Sequence, residues 1–346
     1  MQKVRIALLG AGWISQAYSS VLETSDTAEL VAVADTNLEA AARIADVFGC
    51  RVFDSHHSLL RAGGFDAALV CTPPATHAPI ALELLRCGVH VLCEKPLSID
   101  VASARRMLHV ADRVGVKLAM ASKFRYVGDV IQAKAFISAG LLGEVLAFEN
   151  AFASGVKMAG RWHANPAMSG GGVIIDNGTH SVDIFRYLCG PITAIAAYEG
   201  ARVQQLAVED TAHVVARTAA GVLGSIDLSW SCNLSSENYV RVYGTDGAIS
   251  LGWARSRYRH GSKATWISFG SGYDKHEALS AELDNFCRSL QGEEELLITP
   301  EDGLASVQAI AAAYRSLRCD RWVSVDGHEG GDVAIPELVP ISAAAG

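Results

Sequence analysis

The sequence predicts an α/β protein with two domains. From residue 4 to residue 121, short apolar runs alternate with helical patterns, which is typical of a parallel sheet with helices on both faces. After residue 191, alternating runs separated by hairpin turns indicate a second sheet. The 346 residues suffice for two cores. We expect a first domain over 1–121, a second over 122–330 and a C-terminal tail over 331–346.

Composition and charge argue against several classes of function. Hydrophobic residues make up 50% of the chain and charged residues 19%, as in ordinary water-soluble proteins. The net charge of −8 argues against nucleic acid or an anionic membrane as a partner. The eight cysteines stand singly, without Cys-x-x-Cys pairs or histidines at metal-ligand spacing. We expect reduced thiols, no metal site and a cytoplasmic protein.

Membrane and export signals are weak. Lys3 and Arg5, followed by an apolar run, superficially resemble a secretory signal, but no small-x-small cleavage site is obvious after them. No later run approaches the roughly 20 uninterrupted apolar residues of a membrane span. The glycines of the N-terminal run have a better explanation as a ligand-binding turn.

This glycine-rich turn follows the first predicted strand. Gly10 permits a tight turn, and Gly12 lets an anionic ligand approach the backbone. Trp13 and Ile14 then begin a helix, whose free N–H groups and positive end favour an anion above the turn. These four residues predict the pyrophosphate site of a dinucleotide. Ser15 stands where a third glycine or an alanine is usual.

The second predicted strand, 30–34, ends in Asp35, twenty residues after Ser15. At this place an acidic side chain accepts hydrogen bonds from the adenosine ribose of a dinucleotide. Thr36 and Asn37 follow it, so no adjacent base neutralises a 2′-phosphate. The pattern favours NAD as the cofactor, and NADP is possible if Arg43 or another base folds back.

Residues that follow the other strands of this domain are further candidates, because ligands of such sheets lie beyond the carboxyl ends of the strands. We expect Thr72, Pro73 and His77 beside the cofactor, with a packed or helix-capping His77 as the alternative. The predicted elements are strands near 52 and over 67–71, 89–93 and 117–121, with helices over 38–48, near 58, and over 79–87 and 101–114.

The tripeptide Glu94-Lys95-Pro96 ends the strand 89–93. Pro96 biases Lys95 toward an extended backbone and permits a cis bond, so the lysine can be held rigidly over a bound cofactor. A surface lysine before a helix is the alternative interpretation. We expect Glu94 and Lys95 to contact the cofactor, and Lys95 to reach the substrate as well.

Three glycines, 170–172, open a helical pattern that stops at residue 190. In a helix, Asp176, His180 and Asp183 lie within about 60° of one another on one face. A polar face turned to solvent is the alternative. The neighbouring glycines, which let a ligand come close, favour a site.

The rest of the second domain reads as a broad sheet. Gly221 and residues 245–247 are predicted hairpin turns, and the arginines of 255–260 indicate a solvated hairpin or loop. A broad sheet covered on one face predicts self-association through the other. The predicted strands are 144–153, 192–198, 211–217, 222–230, 239–243 and 248–251, and the helices are 130–137, 277–290 and 303–317.

Five motifs occur in order: Gly10-Ala-Gly12, residues 71–78, residues 91–97, residues 140–145, and 170–172 with Asp176, Gly178, His180 and Asp183. Together they resemble the Gfo/Idh/MocA oxidoreductase family over residues 3–325. The resemblance implies a Rossmann domain and a C-terminal α/β domain with a large, mostly antiparallel sheet. It also implies NAD(P)-dependent oxidation of a sugar or cyclitol hydroxyl, or reduction of the matching ketone. Lys123 departs from many relatives, which carry Asn at this position.

The resemblance implies chemistry for three residues. Lys95 matches the lysine of the family's Glu-Lys-Pro motif, and Asp176 and His180 match its Asp-x-x-x-His pair. His180 would exchange a proton with the hydroxyl, because the free pKa of imidazole, about 6.5, lies near neutrality. The Lys95 ammonium would stabilise a developing alkoxide, and Asp176 would orient Lys95 or the substrate. Asp183 would hydrogen-bond His180 or the loop.

The irregular stretch 154–169 is expected to face the substrate. Trp162 offers a flat apolar surface to a sugar ring, with packing against the domain as the alternative. Lys157 or Arg161 could meet an anionic substituent. The predicted substrate ligands are Lys95, Arg125, Arg161, Trp162, His163, Asp176 and His180.

Two other functions stay open. A non-catalytic NAD-binding regulator would share the fold, but it has no need to keep Lys95, Asp176 and His180 together. A dehydrogenase of a nucleotide-linked or amino sugar would bind an anionic group through Lys123 or the cations of the loop 154–169. For any of these functions we expect a homodimer or homotetramer formed through the second sheet.

Overall fold

A computed structural model of the chain describes residues 2–234, 236–261 and 265–325. The predicted C-terminal tail, 331–346, lies outside the described residues, as does the end of the predicted second domain. Within the described ranges, no helix is long and apolar enough to cross a membrane.

The N-terminal part of the chain alternates strands and helices around one sheet. The elements are β1 (Val4–Leu9), α1 (Trp13–Thr24), β2 (Ala28–Ala34), α2 (Leu38–Phe48), β3 (Arg51–Phe53), α3 (His56–Ala62), β4 (Ala67–Val70), α4 (Pro74–Arg86), β5 (His90–Glu94), α5 (Val101–Val114) and β6 (Leu118–Ala121). The described strands pair in the order β3-β2-β1-β4-β5-β6, and every pair is parallel. The predicted Rossmann-like sheet is confirmed. Its order reverses between β1 and β4, which opens a crevice at their carboxyl ends.

Local sequence explains how two of these helices begin. Gly10 has a φ of 92°, and a Cβ there would lie 2.7 Å from the carbonyl oxygen of Cys71. Only glycine fits this turn between β1 and α1. Helix α4 begins at Pro74, earlier than the predicted residue 79. In the first turn of a helix a backbone N–H has no intrahelical partner, so a proline, which has no N–H, loses nothing there. Proline therefore marks the start of the helix.

The second part of the chain forms a larger sheet with helices on its inner face. After a 3-10 turn (Lys123–Tyr126) the elements are α6 (Gly128–Ser138), β7 (Val145–Ala153), a second 3-10 turn (Trp162–Ala164), α7 (Pro166–Ser169), α8 (Val173–Cys189), β8 (Ile192–Glu199), β9 (Thr211–Thr218), β10 (Leu223–Ser229), β11 (Asn238–Gly244), β12 (Gly247–Gly252), β13 (Ser256–His260), β14 (Ile267–Gly270), α9 (Lys275–Leu290), α10 (Pro300–Cys319) and β15 (Val323–Ser324).

The strands of this sheet run mainly antiparallel, as predicted. Among the described residues they pair in the order β14-β13-β12-β11-β7-β10-β9-β8-β15, and only β7 and β10 are parallel. The hairpin turns at Gly221 and at 245–247 are confirmed, and the arginines of 255–260 lie in and beside strand β13, which pairs with both β12 and β14. Strand β14 was not predicted, because its four residues lack a clear alternating pattern.

Helix α8 packs closely on the inner face of this sheet. Phe185 lies against Gly224 of β10, where a Cβ would approach the ring to within 2.8 Å. The C-terminal helices then return to the first domain, since α9 packs on α1 and α10 packs on both α5 and α8. Across this junction the hydroxyl of Tyr18 donates to Glu282 at 2.6 Å. The returning helices hold α8 near the carboxyl edge of the first sheet.

Candidate active site

The ammonium of Lys95 and the carboxylate of Asp176 meet between the two domains. Lys95 directly follows β5, and Asp176 lies in the first turn of α8. Lys95 Nζ donates to Asp176 Oδ1 at 2.5 Å and to the carbonyl oxygen of Asp176 at 3.1 Å. Burial alone would raise the pKa of Asp176, but the charge and hydrogen bond of Lys95 hold this pKa below its usual value. Asp176 is therefore ionised and fixes the position of the lysine.

The imidazole of His180 lies one turn further along α8 and is neutral at pH 7. Its ring is buried and packs edge-on against Phe124, with the ring centroids 5.0 Å apart. Burial lowers the pKa of His180 well below 6.5, and the positive charges of Lys95 and Lys123 lower it further. Its Nδ1 lies 3.5 Å from Ser122 Oγ, while Nε2 makes no hydrogen bond to any described residue. A neutral ring with a free nitrogen can accept a proton.

Asp183 is the third polar residue of this helix face, and it is fully buried. Its carboxylate accepts hydrogen bonds from Ser122 Oγ and from Arg125 Nε, both at 3.0 Å. Burial raises the pKa of Asp183, although the charge of Arg125 opposes this effect. The sequence left two hydrogen-bond partners open for Asp183, namely His180 and the loop. In the structure, Asp183 bonds directly to the segment after β6. Asp183 reaches His180 only through Ser122.

Arg125 belongs to a buried ion-pair cluster. Its side chain is 4% exposed and lies 2.7 Å from Asp183 and 2.9 Å from Asp302, nitrogen to oxygen. Arg186 approaches the other carboxylate oxygen of Asp302 at 3.3 Å. The sequence placed Arg125 among the substrate ligands, but its guanidinium joins α8 to α10 and is not among the described groups that line the pocket. The geometry favours a structural role.

The crevice above β1 has the features of a dinucleotide site. Helix α1 begins without a side-chain cap, and a Cβ added to Gly12 would meet no atom within 4 Å. Free N–H groups at the start of α1 therefore face open space, as an anionic pyrophosphate requires. Asp35 accepts a hydrogen bond from Ala11 N at 2.6 Å and one from Asn37 N at 2.7 Å, which fixes its carboxylate beside the turn. These residues fit a nicotinamide dinucleotide.

The other predicted cofactor residues lie along the same edge. Trp13 is exposed, and Lys275 Nζ lies 3.6 Å from the centroid of its ring. His77 is buried, with its two ring nitrogens 2.8 Å from the Pro96 carbonyl oxygen and 2.7 Å from that of Thr72. His77 thus joins the segments after β4 and β5, which favours the packed alternative. Pro73 caps α4, Ile14 lies in the first turn of α1, and Glu94 accepts a hydrogen bond from Lys95 N at 3.0 Å.

A pocket adjoins Lys95 and Asp176. Trp162 and His163 stack on each other at its rim, with ring centroids 3.6 Å apart. Trp230, at the end of β10, also lines it. His163 Nδ1 and Trp230 Nε1 are buried and have no hydrogen-bond partner among the described residues. Burial lowers the pKa of His163, so this ring is also neutral at pH 7.

Three further cations that the sequence placed near the substrate differ in their burial. Lys157 and Arg161 are exposed on the loop between β7 and α7. Lys123 is half-buried, with its Nζ 5.5 Å from the centroid of the Phe124 ring. Burial lowers the pKa of Lys123, although the carboxylate of Glu94 opposes this effect.

Sequence reasoning missed two groups near the site. Trp230 looked like an ordinary strand residue, and no local signal distinguishes its indole from a core side chain. Glu209 lies between β8 and β9 and accepts hydrogen bonds from the backbone N of Gly172 at 3.0 Å and of Ile174 at 3.1 Å. An acidic residue two positions before the predicted strand 211–217 was a possible signal for Glu209, but the sequence does not show which groups it contacts.

Comparison with known proteins identifies the family. Residues 4–122 match the NAD-binding Rossmann-fold domain of the GFO/IDH/MocA oxidoreductases, and residues 130–250 match the C-terminal domain of the same family. The chain belongs to the Gfo/Idh/MocA family. As a member of this family it is an NAD(P)-dependent oxidoreductase with an NAD-binding Rossmann domain, which confirms the predicted fold and reaction class.

Three relatives of this Gfo/Idh/MocA protein illustrate the similarity. The inositol 2-dehydrogenase of Rhizobium meliloti (strain 1021) is 28% identical, over 93% of this chain and 99% of the relative. A levoglucosan dehydrogenase solved with NADH and levoglucosan superposes with a TM-score of 0.87 at 21% identity, over 93% of this chain and 99% of that one. The WlbA dehydrogenase of Bordetella pertussis, solved with NADH and UDP-GlcNAcA, superposes with a TM-score of 0.83 at 25% identity. The match covers 93% of this chain and 98% of that one.

Proposed function

We propose that this protein transfers hydride between a nicotinamide cofactor and a hydroxyl-bearing or keto carbon of a sugar or cyclitol. The convergence of Lys95 from the first domain with Asp176 and His180 from α8 carries the proposal. An ammonium and a carboxylate that line one pocket, with a neutral imidazole one turn further along α8, are suited to proton exchange with a hydroxyl and to stabilising an alkoxide. The inositol 2-dehydrogenase relative supports a cyclitol or sugar as the substrate.

Each of the three residues has a distinct task in this proposal. His180 Nε2 accepts the hydroxyl proton during oxidation and returns it during reduction. The Lys95 ammonium stabilises the negative charge that develops on the same oxygen. Asp176 holds Lys95 in position through their hydrogen bond. A bound nicotinamide would supply the hydride acceptor or donor.

The pocket supplies groups that suit a polyhydroxylated ring. The exposed face of Trp162 provides an apolar surface for the ring carbons. His163 Nδ1 and Trp230 Nε1, which lack partners among the described residues, are suited to hydrogen bonds with ring oxygens. Buried polar groups are usually paired, so these two atoms favour a ligand that brings its own polar atoms.

NAD is the proposed cofactor in preference to NADP. The Asp35 carboxylate is held beside the glycine turn by two backbone N–H groups, and a 2′-phosphate there would be repelled. We expect the Asp35→Ser variant to lose part of this discrimination, and comparison of kcat/KM for NAD and NADP measures it. An unchanged ratio of the two values would contradict the role of Asp35.

A nucleotide-linked or amino sugar is the second candidate substrate. The charges of Lys123 and Arg161 act on His180 and His163, respectively, and Lys157 is exposed on the same loop as Arg161. These cations are suited to bind a phosphate or carboxylate, and WlbA was solved with a nucleotide-linked sugar acid. A non-catalytic regulator is disfavoured, because the three residues of the reaction centre occur together and the curated relatives are dehydrogenases. Cofactor absorbance with cyclitols, aldoses, amino sugars and nucleotide sugars, in both directions, distinguishes the candidates. Failure of every class would reject the proposal.

The outer face of the second sheet is the proposed surface for a homodimer or homotetramer. Tyr198 and Leu223 are exposed there, and Arg241 lies 3.8 Å from Glu149 on the same face. This mixture of apolar and charged groups is typical of a subunit interface. A monomeric mass in light scattering would contradict it. We also propose a cytoplasmic location, on the basis of the unpaired cysteines.

A further inference from the structure

A histidine cluster lies on the first domain, apart from the candidate active site. His56 and His57 are the first residues of α3, and Glu83 lies on α4. Their side chains are 21%, 55% and 42% exposed, respectively, so the cluster is reachable from solvent. Glu83 is nine residues beyond Pro74, which places it about 13 Å along α4 from the pocket-lining end of that helix.

Three potential ligand atoms converge in this cluster. His56 Nε2 lies 3.1 Å from Glu83 Oε2, and His57 Nδ1 lies 3.5 Å from the same oxygen. Each residue offers one ligand atom, and these three atoms lie within 4.8 Å of one another. Ligands about 2.0–2.1 Å from a tetrahedral zinc ion are about 3.3–3.4 Å apart. The two measured separations bracket that value.

The short approach of His56 to Glu83 is not a well-formed hydrogen bond. His56 Nε2 is buried and lacks a hydrogen-bond partner of acceptable geometry among the described residues, although Glu83 Oε2 is only 3.1 Å away. A metal ion bound between the two atoms would give His56 Nε2 the partner that it lacks.

We propose that His56, His57 and Glu83 bind a divalent transition-metal ion of the Zn²⁺ type, with water completing the coordination. Neutral imidazole and carboxylate are ligands that zinc, cobalt and nickel accept. The ion would cross-link α3 to α4, and binding to the folded state alone stabilises that state. The expectation of no metal site missed this cluster, because the carboxylate comes from another helix than the two histidines.

The test uses untagged full-length protein, with Zn²⁺ as the probe in isothermal titration calorimetry. We expect one bound equivalent in the wild type, lost in His56→Ala and in Glu83→Gln. His109→Ala, which removes an exposed histidine of α5, and Cys87→Ser, which removes an exposed thiol near Glu83, are expected to retain it. Thermal unfolding should shift upward with Zn²⁺ in the wild type and in both controls, but not in the two ligand variants.

Two results would overturn the metal site. One is the absence of binding by wild-type protein whose circular dichroism and NAD affinity show it to be folded. The other is an unchanged stoichiometry in both ligand variants, which would assign the metal to other residues. Neither result bears on the proposed hydride transfer, because the cluster shares no residue with the reaction centre.

Discussion

The neutrality of His180 is the residue-level property on which proton transfer depends. Oxidation requires an unprotonated ring, and burial together with two lysines lowers the pKa of this ring well below 6.5. We therefore expect kcat for oxidation to stay level as the pH falls through 6.5 and to decline only at lower pH. Measurement of kcat from pH 5 to pH 8 checks this, and a decline centred above pH 6.5 would contradict it.

Lys123 provides a sharper version of the same test. Because its charge lowers the pKa of His180, Lys123→Asn is expected to raise that pKa and move the acidic decline to higher pH. Lys134→Asn is the matched control, since Lys134 lies over the ring of Tyr187 and is not among the charges that act on His180. An equal shift in both variants would mean that the effect is not local.

Trp230 is the residue-scale test of the pocket. Trp230→Phe keeps an aromatic ring but removes the indole N–H that lacks a partner among the described residues. Loss of one hydrogen bond to the substrate should lower kcat/KM by about tenfold. A substrate analogue that lacks the recognised hydroxyl should show no difference between variant and wild type. A similar loss with every analogue would indicate distorted packing.

At the scale of elements, helix α8 depends on the cap at its N-terminus. Glu209 accepts hydrogen bonds from Gly172 N, Ile174 N and, at 2.7 Å, from the hydroxyl of Tyr314 on α10. A Cβ at Gly172 would lie 2.0 Å from the carbonyl oxygen of Glu209, so only glycine allows this close approach. The cap holds the turn that carries Asp176 against the helix α10.

Removal of the Tyr314 hydroxyl tests this cap. Tyr314→Phe should reduce the free energy of unfolding by about 1–2 kcal/mol, because the buried Glu209 carboxylate loses one of its three donors. Tyr243→Phe is the control: its hydroxyl contacts Glu149 at 3.0 Å on the surface, and its loss should cost less than about 0.5 kcal/mol. Urea denaturation measures both values. Equal losses would show that the cap contributes nothing beyond a surface hydrogen bond.

Sequence predicted the elements better than their contacts. The strands of the first domain follow from local periodicity. Gly10 could be identified from sequence alone, because it directly follows the first predicted strand, where a tight turn is expected. Arg125 shows the limit, because its partners Asp183 and Asp302 are 58 and 177 residues away in the chain. A charged residue near a predicted site looks the same in sequence whether it binds a ligand or another side chain.

At the scale of the whole molecule, the site exists because the chain returns to its first domain. Helices α9 and α10 pack on α1 and α5, and this packing brings α8 to the edge of the first sheet. Lys95 and His180 come from separate domains, 85 residues apart in the sequence. Motif spacing identified both residues as candidates, but only the three-dimensional arrangement brings Lys95 close enough for its charge to lower the pKa of His180.

The turnover of Lys95→Ala and His180→Ala, followed together with NAD affinity, tests this account most directly. If both groups act on one substrate oxygen, each variant should lose at least about a hundredfold in kcat while its affinity for NAD is retained. Lys117→Ala and His109→Ala, which alter residues outside the site, should turn over normally. Near-normal kcat in both site variants, with intact NAD binding, would contradict the proposed reaction centre.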